Sequence, residues 1–527
     1  MLNKEDVWGD KVTEFFDYAD EKEQLLWSYL FEIIIEVTPR SYKKQILPIL
    51  EKIGKKSFRK TVHSWLELII LTPPKTAFYK DESGLEHERN YILEYPNETI
   101  FARLIRALPF VADQNSIDLL SELAVEAGKN RQAKTDKITG IASYKLSEQA
   151  IFALADIEMN EKNVSPISAL LSVQIQLQSL SLKKLIEKKL TQIAKKQKVE
   201  VIELLENHLP DYGLENGFLE GEIQSRVNPE KIYAYQMQVV ENKDKLTWFD
   251  TNGKELKTVP AALKRELPHK IEKLKNTATE AQKTLTLQRE RLEKTYLTQK
   301  TFSYSHWQNA YANHGLLGTV VENLIWQVEN GKEWKTVWSS FGRFVDANKN
   351  PIEVNDNDLI RVLHPVLLDN EKLEYWQDFI KQKDLKQPFQ QVFRKTFERI
   401  IDKKEENEIE ESSRFEGIIL EQKKLRMFAK IQGWNYKWLT YPKVNRSFIT
   451  FQFDYKISES EKTTKLEVEF WVEALPSQPQ NVKTSVVRLH QKAQPLSFEI
   501  LDKVTFSEIF RAIERIITVS SVNFDKE

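Results

Sequence analysis

The chain has 527 residues, with 77 basic and 78 acidic side chains, a formal net charge of −1, and 41% hydrophobic and 11% aromatic residues. That length suits about three or four structural units, and the composition is that of a folded chain, not a disordered one. With no cysteine, disulfides, thiolate metal sites, iron–sulfur clusters and cysteine nucleophiles are excluded, and the evenly spread charge lacks the basic excess of a dedicated nucleic-acid binder.

The opening residues, MLNKEDVWGDKVTEFFDYADEKE, place no apolar run behind a basic start, so no targeting segment is expected. The most apolar stretch, Leu25–Val37, is interrupted by Glu32 and Glu36 and is too short and charged to span a bilayer. The expected compartment is the cytoplasm, with no membrane partner. Residues 1–214 read as helical throughout, with expected helices at Glu23–Val37, Tyr42–Ile53, Arg59–Leu71, Glu98–Leu108, Ser116–Gly128, Leu146–Asp156 and Leu182–Lys196. Pro39, Pro73, Pro74, Pro109, Pro166 and Pro210 punctuate them, and Asn97 and Ser116 are expected N-caps. Paired helices of this length suggest a HEAT-like helical-repeat region, with a plain bundle as the alternative.

The character changes at DYGLENG (Asp211–Gly217), a turn-rich hinge. Short alternating stretches follow at Ile232–Val240 and Leu246–Phe249, closed by the hairpin-type turn Asp250–Gly253. A long helix is expected over Leu263–Gln299 and a second over Ser305–Gln327, then strands at Lys335–Phe344 and Asp358–Leu363 and helix over 371–400. Glu405–Ser413 reads as a charged linker. Phe451–Ile457 and Leu466–Val472 alternate apolar and polar residues, the period of a half-buried antiparallel sheet. A last helix opens with Thr505-Phe-Ser-Glu508, a capping-box pattern. The fold class is therefore α+β. Residues 1–214 form the helical-repeat region, 215–404 a central α+β domain with long helices, and 405–527 an antiparallel sheet plus C-terminal helix packed with it. Most of the tryptophans lie after residue 240, so the C-terminal part is expected to be compact and the N-terminal part extended.

Little chemistry stands out. No histidine pair has the helical spacing that puts two imidazoles on one zinc, and Asp346–Asn350 begins like a calcium loop but has Pro351 where glycine must turn. No metal is expected, and no cofactor: there is no phosphate-cradling glycine loop, dinucleotide fingerprint or nucleophile elbow. Lys183, Lys184, Lys188 and Lys189 crowd one face of the helix at 182–198. That face reads first as solvated, and alternatively as a surface for nucleic-acid phosphates.

One group of segments carries a resemblance. In order they are Glu203–Leu214 (ELLENHLPDYGL), Phe249–Pro260 (FDTNGKELKTVP), Gln288–Trp326 (QRERLEKTYLTQKTFSYSHWQNAYANHGLLGTVVENLIW), Leu359–Pro365 (LIRVLHP), Gln387–Arg394 (QPFQQVFR), Ser413–Gly417 (SRFEG) with Gly433-Trp434, and Pro495-Leu-Ser497 followed by Phe506–Arg511 (FSEIFR). Over roughly residues 182–515 the chain resembles the bacterial domain of unknown function 4132 family, which is often WGR-associated and has members labelled MolR-like. Two departures stand out: residues 1–214 carry no WGR pattern, and Gly315 stands where the family pattern usually has proline. The resemblance implies a link to nucleic-acid or ADP-ribose biology and assigns no activity.

Polar residues inside its apolar segments, Arg289, Glu293, His314, His364, Arg394 and Arg414, are the candidate ligand contacts, with hydrogen bonding inside the core as their alternative role. The leading expectation is a non-enzymatic interaction or regulatory protein whose helical surface binds a protein partner. The alternative is an enzyme or sensor in which Arg289, Arg394 or Arg414 grips a nucleotide or other anionic small molecule. Weak nucleic-acid binding through the lysine helix is the third.

Overall fold

Apolar side chains at three- and four-residue spacing must share one helix face, and that face must be covered. The computed structural model describes every residue except 1, 5, 39, 81–83, 85, 133–137, 159–164, 241–242, 332, 341, 400–409, 439–445, 458–462 and 523–527. Pro39 and residues 405–409 of the expected linker thus lie outside the described residues. The chain divides into two compact units, Met1–Tyr212 with Glu272–Lys283, and Gly213–Ile271 with Thr284–Glu527.

The first unit carries α1 (Val7–Tyr18), α2 (Glu21–Glu36), α3 (Tyr42–Ile53), α4 (Lys55–Ile70), hairpin β1–β2 (Lys75–Lys80, Glu86–Tyr91), α5 (Asn97–Leu104), α6 (Gln114–Gly128), hairpin β3–β4 (Asn130–Gln132, Ile138–Ile141), α7 (Tyr144–Asp156), α8 (Pro166–Gln176), α9 (Leu180–Gln197) and α10 (Val201–Asn207). Trp8, Trp27 and Trp65 are all buried in one continuous core. Trp8 meets Trp65 edge-on at 5.8 Å, and Trp27 stacks on Phe58 at 5.5 Å.

Two expected caps are displaced. Asn97 lies one residue inside α5, where its side-chain amide donates to Asp6 Oδ1 (2.9 Å) and to the Asn3 carbonyl (2.7 Å). Ser116 is the third residue of α6; Asp113 is the cap, and the two exchange a capping box. At α6 a neighbouring acid supplies the stronger acceptor, whereas α5 starts after Pro96 with no side-chain cap.

The second unit opens with a four-stranded meander, β5 (Phe218–Gln224), β6 (Ile232–Val240), β7 (Lys243–Phe249) and β8 (Glu255–Leu256). The expected long helix is two: α11 (Ala261–Glu266) and α12 (Pro268–Thr298). Pro268 cannot accept continuation from α11, but at the first helical position its missing N–H costs nothing.

The expected helix over Ser305–Gln327 is broken. After β9 (Phe302–Ser303) come the short α13 (Tyr304–Trp307), a π-turn over Gln308–Ala312, α14 (Gly318–Glu322), and strand β10 (Ile325–Asn330). The break is enforced at Gly315. Its carbonyl accepts from Gly217 N–H at 2.7 Å, and a Cβ there would stand 1.7 Å from the Leu214 carbonyl oxygen. With β11 (Glu333–Ser340), β12 (Arg343–Val345), β13 (Pro351–Ile352) and β14 (Leu359–Val362), these strands form an antiparallel sheet in the order β13-β12-β11-β10-β14-β9. Of the helix expected over 371–400, only α15 (Asn370–Gln382) forms. Asp384 turns left-handed at φ 50, and residues 383–399 run irregularly.

The C-terminal sheet contains β15 (Ile419–Glu421), β16 (Asn435–Trp438), β17 (Arg446–Tyr455), β18 (Thr464–Ala474), β19 (Asn481–Gln491) and β20 (Gln494–Leu496), with α16 (Gln422–Ile431) and α17 (Lys503–Ser520). Its path is β15-β19-β18-β17-β16, antiparallel throughout. Leu466, Val468, Phe470 and Val472 of β18 face the same core as Ile509, Phe510, Ile513 and Ile517 of α17. The cap of α17 is Asp502, not Thr505: its Oδ1 accepts from Val504 and Thr505 N–H, and its Oδ2 from the Thr505 hydroxyl. The observed class is mixed α+β with antiparallel sheets.

Candidate functional site

Three of the six candidate ligand residues converge in the second unit. Glu293 projects from α12. His364 ends β14, and Arg394 comes from the irregular segment after α15. They meet Glu508 and Arg511, one turn apart on α17.

Arg394 has no exposed side-chain surface. Its Nε donates to the Gln390 carbonyl at 2.9 Å, one Nη to Glu508 at 3.1 Å, and the other Nη to Glu293. The guanidinium also lies over the rings of Tyr296 (4.9 Å) and Phe389 (5.7 Å), a favourable seat for a cation. A buried arginine is tolerable only with its donors satisfied and its charge matched, and both conditions hold.

His364 fixes the second carboxylate oxygen of Glu508. Its Nδ1 accepts from Val366 N–H at 3.2 Å, so the ring proton sits on Nε2, 3.2 Å from Glu508 Oε1. Burial holds the imidazole pKa below its ordinary value, outweighing the pull of Glu508, and the ring is neutral. Burial alone would raise Glu508, but the His364 hydrogen bond and the charges of Arg394 and Arg511 outweigh it, and the carboxyl stays below its usual range. Tyr296 closes the network, donating to the Leu363 carbonyl at 2.7 Å, with its phenol pushed up by burial.

Arg394 and His364 are both buried and hydrogen-bonded within the fold, as in their alternative role inside the core. The open feature is a cleft of about 480 Å³ next to them, lined by Glu293, Phe389, Gln390, Lys395, Arg511, Glu514 and Arg515. Glu508 and Arg511 were not singled out from the sequence. A signal was there: Glu508 interrupts the apolar face formed by Phe506, Ile509, Phe510 and Ile513, and a carboxylate at a core position needs a partner.

The remaining candidates are apart from this network. Arg289 Nε donates to the Pro388 carbonyl at 3.0 Å. His314 Nδ1 accepts from the backbone N–H groups of Leu316 and Leu317, both at 3.2 Å, and so shapes the Gly315 turn. Arg414 lies over the Phe397 ring at 4.7 Å and donates to the Glu398 carbonyl. In the first unit, Lys184 and Lys188 are exposed on α9 and Lys183 is half-buried. Lys189 instead turns over the Phe152 ring at 4.3 Å, and burial lowers its pKa. The four lysines therefore do not present one uniform cationic face. Among the described residues no group of His, Asp and Glu is arranged to hold a metal ion, and no helix is long and apolar enough to cross a membrane.

The helical unit has its own concavity, a groove of about 860 Å³ between α2, α3, α5 and α7. Ile34, Val37, Leu47, Pro109, Phe110 and Phe152 supply apolar lining. Lys43, Lys55, Arg103, Arg106 and Lys145 supply five cations, against two carboxylates, Asp156 and Glu158. Arg103 donates to the Ile34 carbonyl at 3.0 Å, using its charge at the C-terminal end of α2, where it suits the helix dipole. Arg106 pairs with Asp156 at 2.7 Å and lies over Phe152 at 5.1 Å, while its Nε is buried with no hydrogen-bond partner among the described residues. Tyr42 donates to the Arg103 carbonyl at 2.6 Å, fixing α3 to α5 across the groove.

Residues 253–434 match the family model described as Domain of unknown function (DUF4132). That span holds Glu293, His364 and Arg394 but ends before Glu508 and Arg511. The Escherichia coli (strain K12) protein described as "Uncharacterized protein YehI" is 26% identical over 183 residues, which are 34% of this chain and 14% of that protein. The chain thus matches only a small fraction of that relative's length. No solved structure matches. The stretch from 253 to 434 is accordingly similar to a domain of unknown function, and that similarity assigns no activity.

Proposed function

We propose that this chain is a non-enzymatic, regulatory interaction protein of the cytoplasm, and that its helical unit docks an acidic, amphipathic segment of a protein partner. The helices are read as a HEAT-like array interrupted by two hairpins, with the groove on its binding face. One observation carries the reading: the groove combines an apolar lining with five cations against two carboxylates. Apolar side chains of a bound segment would cover Leu47, Phe110 and Phe152, and its carboxylates would meet the rim. Such complementarity speeds association and selects against basic partners.

The test is a display selection of random peptides on the full chain. Enriched peptides should combine acidic with large apolar residues, and should be lost when Lys43→Glu and Lys145→Glu are combined. Enrichment of neutral or basic peptides, or peptides indifferent to that double substitution, would contradict the reading.

A further inference from the structure

The cleft beside Arg394 lies in the other unit and does not depend on the groove. Its cations are unequally committed. Arg394 takes the near oxygens of both Glu293 and Glu508, and His364 takes the other oxygen of Glu508. Arg511 is left with distant partners. Its Nη1 stands 3.6 Å from Glu293 and 3.8 Å from Glu508, beyond hydrogen-bond reach, and it makes no hydrogen bond among the described residues. Yet only 12% of its side chain is exposed. An arginine that has given up most of its water without gaining acceptors is a binding group in waiting. Arg515, four residues on along α17, is exposed at the same cleft and has no ion pair among the described residues. Lys395 already pairs with Glu514. Phe389 supplies an aromatic wall, held from behind by the edge of Tyr296.

We propose that this cleft binds a small phosphate monoester, with its phosphate between Arg511 and Arg515 and its organic part against Phe389. Four residues of helix separate the two arginines by a rise of about 6 Å. A carboxylate is satisfied by a single guanidinium fork, whereas a phosphate dianion has three acceptor oxygens and can take donors from both. The volume of about 480 Å³ leaves room beyond the phosphate for a group the size of a sugar. Glu293 lines the cleft 3.6 Å from Arg511, and its hydrogen bond to Arg394 offsets its charge toward the anion. The role of Arg394 is positional: it makes the hydrogen bonds to both acids, so Arg511 balances their remaining charge from a distance and keeps its donors unfilled.

Calorimetric titration of the full chain with inorganic phosphate, glucose 6-phosphate and acetate tests the assignment. Glucose 6-phosphate should bind saturably, more tightly than inorganic phosphate, and acetate should not bind. Arg515→Gln, at an exposed position that the fold does not need, should weaken binding about tenfold or more, and Arg515→Lys should recover part of it. Lys184→Gln, on the helical unit, should change nothing. No saturable binding of either phosphate at millimolar concentration overturns the assignment. So does binding that Arg515→Gln leaves unchanged, which would place the phosphate elsewhere.

Discussion

At the scale of single residues, the strongest commitment is the buried pairing of Arg394 with Glu293 and Glu508. Removing one member of a buried pair leaves the other charge without compensation, which costs about 3–5 kcal/mol. Arg394→Met should therefore lower the unfolding free energy read from urea denaturation by that amount. Adding Glu508→Gln to it should recover part of the loss, and simple additivity of the two would show that they do not interact. The pH dependence follows from two depressed pKa values. His364 in the unfolded chain takes a proton below its ordinary 6.5, and the folded site resists it. Its contribution is present above that value and lost as pH falls. Glu508, held below its ordinary 4.5, contributes above that value and is lost at still lower pH. Stability should fall below about pH 6.5 in the native chain, and His364→Gln, whose amide can still donate to Glu508, should flatten that limb. An unchanged profile would show that His364 is not the group titrating. Glu293, His364 and Arg394 could be found in the sequence because each is polar within an apolar segment. That they meet could not, since Arg394 and Glu508 are 114 residues apart along the chain. Only folding reveals that the arginine is consumed by the fold and that Arg511 faces the cleft.

At the scale of elements, period two was a dependable guide where one face of a strand is covered. The alternation in Phe451–Ile457 and Leu466–Val472 corresponds to β17 and β18, which pair from Arg446↔Glu473 to Tyr455↔Thr464. Apolar spacing misled over Ser305–Gln327, because Trp307, Leu316, Val320 and Leu324 are all buried but lie in four separate segments, two short helices, a turn and a bend. The determinant is a contact that spacing does not encode, the seat of Gly315 against Leu214. Gly315→Ala should destabilise the second unit by several kcal/mol, since the neighbouring atom is backbone and cannot rotate away; a loss below about 1 kcal/mol would mean the turn relaxes freely. Within the first unit, α12 turns Glu280 toward Ser172 of α8, whose hydroxyl donates to it at 3.2 Å. Burial pushes the Glu280 carboxyl up to about 7, only partly relieved by that hydrogen bond and by Lys283 and Lys273. A carboxyl with a raised folded pKa favours the folded state below its unfolded value of 4.5 and loses that advantage as pH rises through about 7. The full span is worth about 3 kcal/mol. Glu280→Gln should stabilise the chain at pH 8 and have little effect at pH 5, read as the difference in thermal midpoint; stabilisation equal at both values would point to packing instead.

At the scale of the whole molecule, the two units carry two different concavities. The helical unit presents an apolar groove with a cationic rim, and the α+β unit presents a smaller polar cleft next to a buried charge network. Composition anticipated neither, since the net charge of −1 conceals both local excesses. The mixed α+β class was legible because helical and strand periods occupy different stretches of sequence. The groove was not, because Lys43, Arg103 and Lys145 come from three helices and none is unusual on its own. The most direct measurement is a fluorescence-anisotropy titration of the full chain with an acidic, amphipathic peptide obtained by selection, at low and at physiological salt. The native chain should bind it, with affinity falling as salt rises, and the combined Lys43→Glu and Lys145→Glu substitutions should weaken it at least about tenfold without shifting the thermal midpoint. Equal affinity for the native and doubly substituted chains would contradict the groove as the docking site.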